Sequence, residues 1–70
     1  MRLSARNQLS GTVVSVTEGV VTAEVVVRLA GGEELASVIT LASVRNLGLA
    51  KGAKVKAIVK STDVMIAVDA

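Results

Sequence analysis

Ser4, Arg6 and Asn7 stand close together near the start of this 70-residue chain, and Lys60 and Ser61 are adjacent near its end. All five side chains can donate hydrogen bonds. A guanidinium presents a planar fork of N–H groups to an oxyanion, an ammonium presents a point charge, and a hydroxyl rotates to donate to whichever oxygen is nearest. With backbone N–H groups from the same segments, such a set can coordinate a tetrahedral oxyanion. Arg6 and Lys60 would supply the positive charge, Ser4 and Ser61 neutral donors. The plainer alternative is that Arg6 and Lys60 are solvated strand-end charges and Ser61-Thr62-Asp63 is a turn. Asn7 reads equally well as an amide that ties the N-terminal segment to neighbouring backbone. A carboxylate at Asp63 opposes anion binding unless it points away or pairs with a cation.

Other chemistry is poorly supplied. The chain has no Cys and no His, so no serine can be activated by imidazole, no thiolate is available, and structural zinc and disulfides are both excluded. Its carboxylates are not spaced as an acid and base pair. Gly31-Gly32 does not fit a phosphate loop, which needs Gly-Lys-Ser/Thr opening a helix. The expectation is a protein that is not an enzyme, carries no covalent cofactor and holds no metal by direct side-chain coordination.

The elements that must position the two polar motifs read mostly as strands. Leu9 to Val16 is a β-branched run that ends at Thr17-Glu18-Gly19, a connection of hairpin length. From Val20 to Leu29 the odd positions Val21, Ala23, Val25, Val27 and Leu29 alternate with Thr22, Glu24 and Arg28, which is half-buried strand patterning. Ala30-Gly31-Gly32 makes the next turn, and Glu33 to Thr40 forms a third strand with Leu35, Ser37 and Ile39 on one face. Thr40 then caps a short helix, Leu41 to Leu47, that Gly48 terminates. Thr40 and Ser43 at this helix start are a weaker second candidate for holding an oxyanion on orphan N–H groups, although Thr40 as a plain N-cap is the stronger reading. After the Ala50-Lys51-Gly52 turn, Val55, Ala57 and Val59 alternate with Lys54, Lys56, Ile58 and Lys60 as a fourth strand. Val64, Ile66 and Val68 alternate with Met65, Ala67 and Asp69 as a fifth. Five short strands with one helix between the third and fourth match an all-β, OB-like five-stranded barrel, with residues 1–70 as a single domain.

Length and composition add a constraint. Half the residues are hydrophobic (51%) but none is aromatic, and a chain this small barely offsets its conformational entropy with one core. Without disulfides or zinc, burial between subunits is the remaining way to make up the difference. The outward faces of the predicted strands agree, because Val20, Val26, Val38, Ile58, Met65 and Ala67 fall there. An oligomer is expected. Eight Lys and Arg against six Asp and Glu give a net charge of +2, too little to argue for nucleic acid or a membrane surface. No run is long and apolar enough to span a bilayer and the N-terminus lacks signal-peptide layout, which predicts a cytoplasmic protein.

Taken together, "SARNQLSGTV", "GVVTAEVVVRLAGGEELASVIT" and "SVRNLGLAKGAKVKAIVKSTDVMIAV" resemble the Mop domain of the molbindin family over essentially the whole chain. The resemblance includes the opening S-A-R-N, the A-E-V strand, the G-G turn followed by I-T, the L-G-L turn and the V-K-A-x-x-K-S strand end. It implies an OB-like barrel that exchanges a strand between subunits and assembles as a trimer of dimers, a hexamer. It also implies that molybdate or tungstate is the ligand, held at subunit interfaces for storage or homeostasis. By position it assigns Ser4, Arg6 and Asn7 in a first motif, and Lys60 and Ser61 in a second, to the oxyanion, the two motifs meeting across an interface. Two readings compete: a structural or regulatory oligomeric module that binds no anion, and an OB domain that binds single-stranded nucleic acid. The latter lacks the aromatic stacking platforms and basic stripe it would need.

Overall fold

The computed structural model describes residues 2–69. In chain order it contains β1 (Asn7–Glu18), β2 (Thr22–Leu29), β3 (Glu34–Thr40), α1 (Leu41–Leu47) and β4 (Lys54–Val59), followed by a 3-10 turn at Ser61–Asp63. The strands form one four-stranded antiparallel sheet in the order β3-β2-β1-β4. β1 is the long central strand, paired with β4 along its first half and with β2 from Gly11 onward. The result is a curled half-barrel of mostly β structure with one short helix, OB-like in kind but with four strands in place of the expected five.

Side-chain alternation builds the core. Val13, Ala23, Val25, Val27 and Val44 are buried, and Val16, Leu29, Ile39, Leu41, Leu49, Ala53 and Val55 pack around them. Val13 pairs with Val27 across β1 and β2, and Val16 pairs with Val25. Both pairs face inward although their β1 members are three residues apart, because the register shifts between Val13 and Ser15. An extra residue there, Val14, reverses the odd-even parity of the strand. Gly11 is where β1 comes closest to β2. A Cβ at that position would lie 2.5 Å from Val27 Cγ1 and 2.7 Å from the Arg28 carbonyl oxygen, so only glycine lets the two strands approach this far.

The helix is set by its ends. Thr40 is extended, and its hydroxyl accepts from the Ser43 N–H at 3.1 Å, while Gly48 takes the left-handed conformation (φ 64°) and its N–H reaches back to the Arg45 and Val44 carbonyls. The Leu41 N–H donates to the Val21 carbonyl at 2.8 Å, which fixes the helix start on the β1–β2 turn. Of its apolar residues Val44 is buried and Leu41 packs against the core, whereas Leu47, the last residue of the helix, is 68% exposed.

Three expectations need correction. The first turn is Gly19-Val20-Val21, not Thr17-Glu18-Gly19. β1 runs on through Glu18, and the Gly19 N–H donates to the Thr22 carbonyl at 2.8 Å. β2 accordingly starts at Thr22, leaving Val20 and Val21 in the turn, exposed. Third, the fifth strand does not form within the chain. Residues 64–69 are irregular, and Val64, Met65, Ile66 and Val68 are exposed. Their period-two pattern suits a strand, but it finds no partner here, and the edges β3 and β4 stay unpaired on their outer sides. The concave face is consequently open. It forms a groove of about 450 Å³ lined chiefly by apolar side chains, among them Val27, Leu35, Ile39, Leu49, Val55 and Val59.

Candidate functional site

Sheet pairing places the two polar motifs together. Asn7, the first residue of β1, is the register partner of Val59, the last residue of β4. The segment holding Ser4 and Arg6 therefore enters the sheet where Lys60 and Ser61 leave it. The resemblance led to the expectation that the motifs meet across an interface; the antiparallel β1–β4 ladder makes them neighbours within one chain. Ser4, Arg6, Lys60 and Ser61 are exposed, and Asn7 is half-buried. Among the described residues none of these five side chains hydrogen-bonds to another residue of the chain, so their donors are free to meet a ligand.

The amide expected to tie down the N-terminal segment is a different one. Gln8 Nε2 donates to the Ala5 carbonyl at 3.2 Å, which leaves the Asn7 amide uncommitted. Asp63 lies just beyond Ser61, its N–H donating to the Lys60 carbonyl at 2.9 Å. Its carboxylate is exposed and forms no ion pair among the described residues.

Thr40 and Ser43 sit elsewhere. Thr40 pairs with Thr22, at the end of the sheet opposite Asn7, and the Thr40 hydroxyl donates to Ser43 Oγ at 2.8 Å while accepting from its N–H. Both hydroxyls are engaged in capping α1.

A polar row on the outer face of the sheet is absent from the sequence reading. Glu34, Arg28, Thr12 and Lys54 are successive register partners across all four strands. Arg28 Nη2 and Nε contact Glu34 Oε2 at 2.6 and 3.2 Å, and Lys54 Nζ donates to Thr12 Oγ1 at 3.0 Å. Thr12 and Lys54 are 42 residues apart, so only the strand order could have revealed the contact.

Among the described residues, no group of three or more His, Cys, Asp or Glu side chains could hold a metal ion, and no helix is long and apolar enough to cross a membrane.

Residues 3–66 match the family model of the TOBE domain. Molybdenum-pterin-binding protein 2 of Clostridium pasteurianum is 59% identical over 66 residues, covering 94% of this chain and 97% of that protein. Among solved structures, MopII from Clostridium pasteurianum has a TM-score of 0.90 at 57% identity, over 96% of this chain and 100% of that one. A molybdate-binding protein from Sporomusa ovata has a TM-score of 0.91 at 40% identity, over 97% of this chain and 100% of that one. The chain belongs to the TOBE domain family and, within it, to the molybdenum-pterin-binding Mop proteins.

Proposed function

We propose that this protein binds molybdate, and tungstate with it, by reversible hydrogen bonding at the end of the sheet where β1 begins and β4 finishes. The observation that supports the reading is the Asn7–Val59 register: the segment that carries Ser4 and Arg6 enters the sheet at the end where the segment that carries Lys60 and Ser61 leaves it. Molybdate is a tetrahedral dianion, and two cations with two hydroxyls meet both its charge and its oxygens. Asn7 adds an amide donor. Relatives named for molybdenum-pterin and molybdate binding, matched over nearly the whole chain, support the same ligand. Thr40 and Ser43 belong to the helix cap in this reading and not to the ligand. The role is storage and homeostasis of the oxyanion in the cytoplasm, with no covalent chemistry.

The working form is an oligomer. The apolar segment 64–68 lies uncovered, while the concave groove and two sheet edges are open; a strand exchanged between copies satisfies all three. A trimer of dimers, the assembly implied by the resemblance, then surrounds the polar ends of the sheets and completes each oxyanion site with donors from a neighbouring subunit.

Native mass spectrometry of the purified protein with molybdate, tungstate and sulfate tests both parts. A hexamer that gains discrete molybdate or tungstate masses and none with sulfate is expected. A hexamer that takes up no oxyanion overturns the binding reading, and a monomer overturns the assembly.

A further inference from the structure

The outer face of β4 carries Lys54 and Lys56 at alternate positions, and the same alternation continues through Ile58 to Lys60, just past the strand's end. All three lysines are exposed. Their surroundings on the sheet are uncharged: the β1 partners of Lys54, Lys56 and Ile58 are Thr12, Ser10 and Gln8. The nearest carboxylate along the outer row is Glu34, two strands beyond Thr12, and Arg28 already occupies it. That contact is the only salt bridge among the described residues. A row of unneutralised positive charge thus runs along one strand and ends at the Lys60–Ser61 motif.

We propose that this lysine row is an electrostatic guide that draws the dianion toward Lys60 and Ser61 and speeds its capture. The inference rests on the reading of that end of the sheet as the oxyanion site, and goes beyond it by giving Lys54 and Lys56 a role although neither belongs to the site. At about 3.3 Å per strand residue, Lys56 lies roughly 13 Å and Lys54 roughly 20 Å from Lys60, too far to touch the bound ion. Their effect is therefore on association, through the long-range field that steers a charged ligand, and dissociation is left alone. The field acts on every dianion alike, so it contributes rate and no selectivity; selectivity stays with the donors at the site. It also offsets the unpaired Asp63 carboxylate beside the site.

Ionic strength gives the test its sign. Screening extends about 30 Å at 0.01 M salt and about 8 Å at 0.15 M, so the whole row acts at low salt and little of it at physiological salt. Equilibrium dialysis of labelled molybdate gives Kd and an isotope chase gives the dissociation rate; their ratio is the association rate. For K56Q, and more strongly for the double variant K54Q/K56Q, the association rate is expected to fall roughly threefold to tenfold at the lower salt. It should fall less than about twofold at the higher salt. Dissociation rates and the circular-dichroism melting curve should match those of the unmodified chain. Association unchanged at low salt overturns the guide, as does a faster dissociation rate, which would mean that the lysines contact the ion. Aggregation of the double variant with unchanged association overturns it too and leaves the lysines as protection of an exposed sheet edge. If the unmodified chain takes up no molybdate, the oxyanion reading itself fails; if it binds and the variants associate as fast as it does at low salt, the guide alone fails.

Discussion

Asn7 and Val59 face each other across the β1–β4 ladder, so Arg6 and Lys60, each one residue beyond its strand's end, leave the sheet at the same end. Like charges directly opposite on a sheet repel, and here no carboxylate of the described residues pairs with either. A bound dianion turns that repulsion into two attractions, so the proposed ligand should stabilise the fold as well as occupy it.

Removing either cation should separate binding from stability. R6A and K60A each lose a charge-assisted contact, worth about 1.5–3 kcal/mol, and molybdate affinity should drop by roughly tenfold to a hundredfold in isothermal titration calorimetry. Both side chains are exposed, so the unliganded melting temperature should stay close to that of the unmodified chain, within about 0.5 kcal/mol of stability. Unchanged affinity in both variants would place the site elsewhere.

G11A should be destabilising without touching the polar motifs. Its new methyl would meet Val27 Cγ1 and the Arg28 carbonyl, both closer than 3 Å, and backbone cannot yield as a flexible side chain can. Overpacking of this kind costs about 1–3 kcal/mol. A urea melt with unchanged midpoint would mean that β1 and β2 separate freely at this point.

At the helix, T40A removes the acceptor for the Ser43 N–H and should cost about 1 kcal/mol, while T40S should keep nearly all of the cap. Neither substitution should alter molybdate affinity. A loss of affinity in T40A that T40S restores would return Thr40 and Ser43 to the oxyanion site.

A chain ending at Asp63 lacks the uncovered apolar segment 64–68. Size-exclusion chromatography with light scattering should give a smaller assembly than the full chain, and the open groove should bind more of a hydrophobic dye. An unchanged assembly would show that other surfaces hold the subunits together.

Local chemistry was the legible part of the fold. The alternation of Val55, Ala57 and Val59 with lysines marks β4, and Thr40 with Gly48 brackets α1 at its observed ends. The bulge at Val14 was hidden because adjacent Val13 and Val14 fit either parity. Segment 64–68 reads as a strand because periodicity reports which face is apolar and says nothing about whether a partner exists. For the candidate site, donor types were legible and the resemblance implied that the two motifs meet across an interface, but their approach within one chain was not legible. It follows from β1 pairing with β4, a contact between the two ends of the chain that no local pattern encodes. The row from Glu34 to Lys54 was missed for the same reason.

The extra residue at Val14 makes spacing part of the proposed site. Before it, alternate residues from Asn7 to Val13 face inward; after it, the phase reverses and Val16 takes the inner side. A single deletion between Asn7 and Val13 would rotate Arg6 to the other surface of the sheet, or force the bulge out and break the Val16–Val25 contact instead. Substitutions in this stretch can be graded and partial in their effect, whereas a change of length by one residue is all or nothing. On the proposed reading of the site, the count of residues from Arg6 to Val14 therefore matters to binding as much as the residues themselves.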